Sequence, residues 1–478
     1  MVVSIPDPRY RRHTVTKAWR RSVGIMSFRP VSEWSESAAA DFLAAYHLHT
    51  NSADLEDRSP DAVHAAALSH AEFGELRGTG GVLVRAFTPV GNRFSVVQVI
   101  LDDMPFLVDS LTALLSRTQR GVHRVVHPIL FVERDAQGRL LRTEATAGSG
   151  LIAESWTEFE INRLLTVADQ RDVEQSVRDV LEQVIAVTTD WARMQQKCLE
   201  LGRSWRQKPP AGVSVADATE TSDLLEWLAD NHLTFLGYRY YNFDVADGQL
   251  TSADGTGLGL LKNRSASSRS LAEMPAAARE LLVSNQPLVL TKSSQKSSVH
   301  RNVYMDYFGI KEFNESGHVI GEHRFLGLLS REAYSDSVLN VPVMRRIVRQ
   351  VLTEAGALEG SHSYRDMLQF LETFPRDEML QVDAAWLGQT TARALAGTNR
   401  RGSQSFFHAD LWGRFISVFI YLPRDVYNTG VRQRIEATLN GFLPTSEIDS
   451  SVLLGESNLA RVHLRSEEHT FELQSHLN

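Results

Sequence analysis

The most distinctive pattern in this chain is a pair of runs rich in valine, tyrosine, phenylalanine and isoleucine, at 303–313 and 319–328. Between them stands Asn-Glu-Ser-Gly, residues 314–317, a composition typical of a tight turn. This layout predicts a β-hairpin within 299–330. More charged residues lie on or beside its strands than a hairpin buried in a core requires. They are Asp306, Lys311, Glu322, His323 and Arg324.

The pattern of the first 200 residues predicts one sheet covered by helices. Apolar residues recur at helical spacing in four segments, which are 32–49, 60–76, 105–117 and 173–201. Strand patterns occur at 81–89, at 93–101, on both sides of a hairpin turn at 135–138, and at 155–164, where apolar and polar residues alternate.

The sequence Lys-Pro-Pro-Ala-Gly at 208–212 is the clearest linker signal, because consecutive prolines cannot continue a helix. Beyond it, helices are predicted at 222–232, 275–283, 341–356, 363–374 and 381–395, and a strand at 233–244 precedes the hairpin. The stretch 405–464 follows the order strand, strand, helix, strand, strand. The predicted fold class is α+β, with several small antiparallel-sheet domains covered and linked by helices.

Composition adds bounds to this picture. A length of 478 residues suggests about three domains, at roughly 100–200 residues per domain. No apolar run is long enough to span a bilayer, and the single cysteine, Cys198, cannot form an intrachain disulfide. With no secretion signal in the opening residues, a cytoplasmic location is predicted. The net charge of −8 argues against nucleic-acid binding, and the basic segment 1–30 is expected to be a disordered leader.

The turn at Asp102, Asp103, Met104 and Pro105 is the first candidate site, because it joins a strand to the N-terminus of a helix, where backbone N–H groups are free. Such a turn can bind the carboxylate of a small effector. Asp102 and Asp109 would repel a lone carboxylate, so an amino acid, which also carries an ammonium group, fits better. The alternative is structural: Asp103 caps the helix and Pro105 begins it.

The hairpin charges are a second candidate. Glu322, His323 and Arg324 could form acid–base machinery, but adjacent residues of a strand point to opposite faces, which favours a structural or interface role. Asp306 and Lys311 are expected in the same surface network.

Other motifs favour plain structural readings. The glycines at 255–259 lack the spacing of a dinucleotide-binding loop, and His123 and His127 lie too far apart on a strand to share a metal ion. Neither a metal site nor a cofactor site is predicted within the chain.

Several segments in the same order resemble the N-terminal part of the large bacterial NAD-specific glutamate dehydrogenases. They are DDMPFLVDS, VVHPILFVERDAQGRL, TFLGYRYY, SSVHRNVYMDYFGIKEFNESGHVIGEHRFLGLLS and ETFPRDEMLQ. The resemblance covers about residues 30–464. It implies ACT-like domains, a PAS-like domain, and a catalytic domain further along a much longer subunit that forms homotetramers and uses NAD.

The resemblance implies a domain layout along the chain. After the leader, an ACT-like domain with its preceding helices occupies 31–205, a linker 206–221, a PAS-like domain 222–358 and a helical connector 359–402. An incomplete second ACT-like domain then follows at 403–464. The hairpin charges are interpreted as contacts of the PAS-like domain.

Two departures qualify the resemblance. Met104-Pro105-Phe106 stands where effector-binding ACT domains typically have a glycine, which weakens the effector interpretation of that loop. The dinucleotide fingerprint and the glycine-flanked catalytic lysine of the family are not visible, so no catalytic residue is assigned.

The segment 465–478, RSEEHTFELQSHLN, resembles a translated sequencing adapter and is expected to be non-native.

These observations predict a regulatory and assembly fragment of an NAD-dependent glutamate dehydrogenase, inactive by itself. The expected partners are further copies of the chain and a small amino-acid effector, with no nucleic acid and no membrane. A stand-alone amino-acid sensor built from ACT-like and PAS-like domains is the alternative. An enzyme that uses Glu322 and His323 ranks below both.

Overall fold

The computed structural model describes residues 30–48, 50, 58–244, 247–265, 268–397, 402–442, 448–454 and 459–467. The predicted basic leader, apart from Pro30, lies outside the described residues, as does the tail from 468 onward. The chain divides into two units. The first ends at Asp103 and resumes over Gly121–Glu174, and the second contains Met104–Arg120 and the chain from Gln175 onward.

The first unit begins with two helices, α1 (Glu36–Tyr46) and α2 (Pro60–Phe73). The serine before each helix caps it: the hydroxyls of Ser35 and Ser59 accept hydrogen bonds from the N–H groups of Ala38 and Ala62. Both helices were predicted from the sequence. They pack on the sheet of this unit through an aromatic core in which the rings of Phe42 and Trp156 lie 5.9 Å apart.

The sheet of the first unit has six antiparallel strands. They are β1 (Leu83–Phe87), β2 (Phe94–Asp102), β3 (Val122–Val126), β4 (Ile129–Arg134), β5 (Leu140–Glu144) and β6 (Ile152–Asn162). The order is β1-β2-β6-β4-β5, and β3 also pairs with β6. The prediction that buried and exposed residues alternate along β6 is wrong. Eight consecutive residues are buried, because β6 is an interior strand.

Burial of β6 places glutamates inside the first unit. The Glu154 carboxylate accepts hydrogen bonds from Arg77 at 2.7 Å and from Arg134 at 2.6 and 2.8 Å, and Trp156 donates to it as well. Glu158 accepts a hydrogen bond from Arg124 at 2.8 Å. Buried charges persist only when they are paired and hydrogen-bonded, and these glutamates satisfy that condition.

Two further helices occur in this part of the chain, one after β2 and one after β6. The helix α3 covers Leu107–Arg117, and α4 covers Val167–Gln207. The prediction for α4, 173–201, is six residues too short at each end. A reciprocal cap begins the helix, because the Thr166 hydroxyl accepts from the Asp169 N–H while the Asp169 carboxylate accepts from the Thr166 N–H.

The linker is also shorter than predicted. Two helices extend into 206–221: α4 ends at Gln207, and α5 begins at Val215 (Val215–Trp227). The Ser214 hydroxyl caps α5 by accepting from the Asp217 N–H. Only 208–214, with its two prolines, lies between the helices. The start of α5 was missed because its buried face carries polar residues, among them Glu220 and Thr221.

The second unit contains a seven-stranded antiparallel sheet. Its strands are β7 (Leu233–Asp244), β8 (Gln249–Ser252), β9 (Leu258–Gly259), β10 (Ser268–Ser270), β11 (Leu288–Lys296), β12 (Tyr304–Phe313) and β13 (Val319–Leu329). The order is β10-β8-β7-β13-β12-β11, and β9 pairs with β7. The helix α6 (Ala276–Val283) lies between β10 and β11 in the chain, as predicted.

The predicted hairpin is confirmed as β12 and β13. The strands pair antiparallel, from Asp306 opposite Gly327 to Phe313 opposite Val319. The Gly317 N–H donates to the Asn314 carbonyl, and Gly317 has φ +81°, a conformation that favours glycine. The turn composition therefore identified the hairpin, and the structure adds its register.

Helices link this sheet to the last one. They are α7 (Arg331–Ser335), α8 (Met344–Glu354), α9 (His362–Thr373), α10 (Arg376–Met379) and α11 (Ala384–Gly397). Their apolar faces belong to the largest core cluster of the second unit, together with Phe308 and Phe325 of the seven-stranded sheet and Phe419 of the last one. Sheet and helices therefore share one core.

The last sheet has four strands, β14 (Gln404–Ala409), β15 (Phe415–Pro423), β16 (Ile448–Leu454) and β17 (Leu459–Glu467), with α12 (Thr429–Phe442) between β15 and β16 in the chain. Its order is β14-β15-β17-β16. Arg465 and Ser466 continue β17 and are buried, so the strand extends past the predicted domain end at Leu464. The α+β class, with separate antiparallel sheets, is confirmed. Among the described residues, no helix is both long and apolar enough to cross a bilayer.

Candidate functional site

The predicted effector loop is divided between the two units. In the first unit, Asp102 ends β2, and its carboxylate accepts a hydrogen bond from Arg77 at 2.6 Å. The Asp103 N–H donates to the Ala153 carbonyl at 3.0 Å. Asp102 is therefore already neutralised by an arginine, which removes part of the repulsion that the sequence suggested for an incoming carboxylate.

In the second unit, α3 does not begin as the capping interpretation predicted, with Asp103 as the cap and Pro105 as the first helical residue. The residue at the cap position is Phe106, with φ 74°, and its side chain makes no capping hydrogen bond. Asp103 does not occupy the cap position and Pro105 does not begin the helix, so that prediction is wrong. The left-handed conformation of Phe106 delays the helix until Leu107.

The other loop residues of the second unit have partners of their own. The Met104 sulfur accepts from the Thr188 hydroxyl at 3.4 Å, and the Asp109 carboxylate lies 3.2 Å from Nδ1 of His300. Pro105 is exposed. Effector binding at Asp102, Asp103, Met104, Pro105 and Asp109 stays a prediction.

The hairpin charges do not form a surface network. Asp306, Lys311 and Glu322 are all buried, because β12 and β13 are interior strands with both faces covered. This corrects the expected surface position of Asp306 and Lys311. Each charge has a different set of partners inside the second unit, and one oxygen of Glu322 is buried without a hydrogen-bond partner among the described residues.

Glu322 and Arg324 of β13 lie on the same face of the sheet as Tyr307 of β12. Arg324 donates to the Glu322 carboxylate at 3.1 Å and to the Tyr307 hydroxyl at 2.8 Å, and its guanidinium lies 3.7 Å from the centre of the Tyr241 ring. Burial lowers the pKa of Arg324, but the opposing effect of Tyr307 and Glu322 exceeds it, so the net pKa is raised.

His323 points to the opposite face of β13, as predicted from strand geometry. Its Nδ1 lies 2.9 Å from the Tyr238 hydroxyl, and burial lowers the pKa of the imidazole to about 4. Glu322 and His323 therefore cannot act together as an acid–base pair.

Lys311 binds the end of a helix. Its ammonium donates to the carbonyl of Leu281, to the carbonyl of Ser284 at 3.0 Å and to the Ser284 hydroxyl at 3.3 Å. These groups lie at the C-terminus of α6, where carbonyls lack helical partners. Burial lowers the pKa of Lys311 to about 8.

Asp306 belongs to a buried ionic group that the sequence did not reveal. Lys292 of β11 lies between two carboxylates, 2.7 Å from Asp306 on β12 and 2.9 Å from Asp377 on α10. The second oxygen of Asp306 accepts from the Leu329 N–H at 2.9 Å. We call Lys292, Asp306 and Asp377 the ionic junction.

Electrostatics favour the charged forms of Lys292 and Asp377. Burial lowers the pKa of the Lys292 ammonium, but Asp306 and Asp377 outweigh that effect and raise the net pKa well above its usual range. Burial raises the pKa of Asp377, and the attraction of Lys292 exceeds it, so that pKa falls below its ordinary value. The pKa of Asp306 is raised by burial. Lys292 therefore remains protonated at neutral pH.

The residue after Asp377 binds the last sheet. The carboxylate of Glu378 accepts from the Ser417 hydroxyl on β15 at 2.9 Å and lies 3.4 Å from Nε2 of His463 on β17. Two adjacent carboxylates of α10 thus bind two different sheets. The short helix α10 is a fixed polar connection between the seven-stranded and four-stranded sheets.

Sequence reasoning missed Lys292, Asp377 and Glu378, because Lys292 is far along the chain from Asp377 and Glu378. The available signal was weak: Pro375 is followed by three charged residues at the start of a segment that otherwise follows a helical pattern. Among the described residues, no group of three or more histidine, cysteine, aspartate or glutamate side chains has the arrangement of a metal site. The ionic junction is suited to holding domains together.

Comparison with known families agrees with this architecture. The family model "Glutamate dehydrogenase, ACT1 domain" matches residues 42–177. The "helical motif 1" of glutamate dehydrogenase matches 341–400, which contains α10, and the "ACT2 domain" matches 404–474. The last match extends beyond Leu464 into the segment expected to be non-native.

Curated relatives carry the same family name. The NAD-specific glutamate dehydrogenase of Halomonas elongata is 31% identical over 421 residues, which cover 86% of this chain and 26% of the relative. The enzyme of that name from Pseudomonas aeruginosa is 33% identical over 375 residues, 77% of this chain and 23% of the relative.

The chain thus spans about a quarter of the length of these relatives. The three domain matches lie in the expected order, and the relatives cover most of the chain. It belongs to the large NAD-specific glutamate dehydrogenase family and corresponds to the N-terminal region of those proteins.

Proposed function

We propose that this chain is the regulatory and assembly region of an NAD-dependent glutamate dehydrogenase. The complete enzyme converts L-glutamate, NAD and water into 2-oxoglutarate, ammonia and NADH, and its catalytic domain lies outside these 478 residues. The coverage of about a quarter of each relative supports this proposal. So does the identity of the matched family models, which describe ACT domains and a helical motif.

The observation that carries the proposal is the ionic junction with its neighbour Glu378. Lys292 of the seven-stranded sheet binds Asp377 in the segment that matches helical motif 1, and Glu378 binds the sheet that matches ACT2. Leaving a buried charge without its partner strongly destabilises the fold. The two sheets and α10 therefore resist separation. A regulatory region needs such a physical connection to pass a change from one domain to another.

The domain roles follow from this proposal. The seven-stranded sheet and its helices, within 222–358, form the PAS-like domain between the two ACT domains. The subunits assemble as homotetramers in the cytoplasm, and NAD binds the catalytic part. A small amino-acid effector binds the ACT1 domain.

The sequence of the native gene past the codon for Leu464 tests this proposal against a stand-alone sensor. A reading frame that continues into a glycine-rich dinucleotide-binding domain supports the dehydrogenase. A stop codon soon after Leu464 in the native gene would refute it and favour the sensor.

A further inference from the structure

The second unit contains a cavity of about 420 Å³ with an unusual lining. Its wall on the sheet carries Arg239 of β7 and Glu322 and Arg324 of β13. Arg264 lines it from the segment between β9 and β10, Arg269 from β10, and Arg414 from the turn before β15. Five arginines and one carboxylate therefore line one cavity that is partly open to solvent.

A second cavity in the same unit provides a comparison. It has a volume of about 650 Å³, and its charged lining consists of Asp217, Glu220, Asp383 and Asp410 against Arg346. The larger cavity therefore has an excess of acidic side chains, in contrast to the smaller one. A pocket with low-dielectric walls and one sign of charge attracts ligands of the opposite sign.

Two of the five arginines are neutralised. Arg324 binds the Glu322 carboxylate, and Arg414 binds both oxygens of Asp410, at 2.8 and 3.0 Å. Arg239, Arg264 and Arg269 form no ion pair with a described residue. The lining thus retains three positive charges that the described protein does not balance.

Arg239 is the most informative of the three. It is only 4% exposed, and its Nη1 donates to the carbonyls of Arg264 at 2.8 Å and Ser265 at 3.4 Å. Its Nε is buried and has no hydrogen-bond partner among the described residues. A buried guanidinium with no counter-ion is costly unless a ligand supplies the negative charge.

Hydroxyl groups complete the lining. Tyr241, Tyr307, Ser293 and Ser294, which carry hydroxyl groups, also line the cavity. Guanidinium groups bind carboxylates and phosphates through paired hydrogen bonds, and hydroxyls add further donors. The volume is in the range of small-molecule pockets.

We propose that this cavity binds a small anion that carries at least two negative charges, either a di- or tricarboxylate or a phosphate. The anion balances the charges of Arg239, Arg264 and Arg269. The site is distinct from the predicted effector loop at Asp102–Asp109, and it does not depend on the dehydrogenase assignment.

Calorimetry on the purified chain tests the site, with succinate, citrate and inorganic phosphate as probes and acetate as a monovalent control. We expect saturable binding of at least one multivalent probe and much weaker binding of acetate. Binding of succinate or citrate without phosphate identifies a carboxylate site, and binding of phosphate alone identifies a phosphate site. If no multivalent probe binds at millimolar concentration, the proposal is wrong.

Variants locate the binding. Arg239→Gln and Arg269→Gln should each weaken binding about tenfold, the effect of losing one charge-assisted contact. Arg279→Gln is the matched control, because Arg279 is exposed on α6 and does not line the cavity. If Arg239→Gln fails to fold, the exposed Arg269 still provides the test. Equal weakening by Arg269→Gln and Arg279→Gln would show general charge attraction and overturn the proposal.

Discussion

Replacement of Lys292 by methionine tests the ionic junction most severely. Methionine has a similar length but no charge, so Asp306 and Asp377 are left facing each other without their shared cation. The side chains of Lys292, Asp306 and Asp377 are only 8%, 7% and 18% exposed, so water cannot replace the cation well. Removing one partner of a buried ion pair costs about 3–5 kcal/mol.

Urea unfolding followed by circular dichroism measures this loss. We expect Lys292→Met to lower the unfolding free energy by about 3–5 kcal/mol, a large part of the total for a domain. Adding Asp377→Asn should recover part of the loss, because one of the two stranded charges is removed.

Lys296→Met is the matched control on the same strand. Lys296 pairs with Asp449 at 2.9 Å, and the side chains are 18% and 44% exposed, so its replacement should cost about 1 kcal/mol or less. If Lys292→Met costs no more than Lys296→Met, the ionic junction does not hold the two sheets together and the reasoning fails.

Two further predictions concern other buried charges. Burial lowers the pKa of Lys311 from its ordinary 10.5 to about 8, so between these values the unfolded chain binds more protons than the folded one. The unfolding free energy of the wild-type chain should therefore rise relative to Lys311→Met as the pH increases from about 8 to 10.5, and a constant difference would contradict the assignment. In the first unit, Glu154→Gln should cost about 3–5 kcal/mol in thermal unfolding, because Arg134 loses its carboxylate. Glu133→Gln, which removes a half-exposed pair with Arg142, should cost about 1 kcal/mol or less, and equal losses would refute the role of burial.

Local patterns predicted most of the elements. The turn composition at 314–317 identified the hairpin, because only a glycine readily adopts the positive φ of Gly317. Periodicity located α6 and α9, whose ends agree with the predictions 275–283 and 363–374 to within one residue. The start of α5 was missed, because its buried face is made of polar side chains that hydrophobic periodicity does not detect.

The candidate sites were harder to predict than the elements. Strand geometry correctly separated Glu322 from His323, a local property. Whether Asp306 is buried depends on the order of strands in the sheet and on α10, which is about seventy residues further along the chain. The cavity needs Arg239 and Arg414 to meet, and no sequence spacing indicates that. Charges that fold together from distant segments are visible only in the structure.

The capacity to oxidise glutamate tests the central claim most directly. NADH formation from L-glutamate and NAD should be measured in parallel for this chain and for the complete product of its native gene, at equal molar concentrations. We predict NADH formation by the complete product and none by the 478-residue chain. Turnover by the chain alone would contradict its assignment as a regulatory and assembly region, and a complete product without activity would contradict the proposed enzyme.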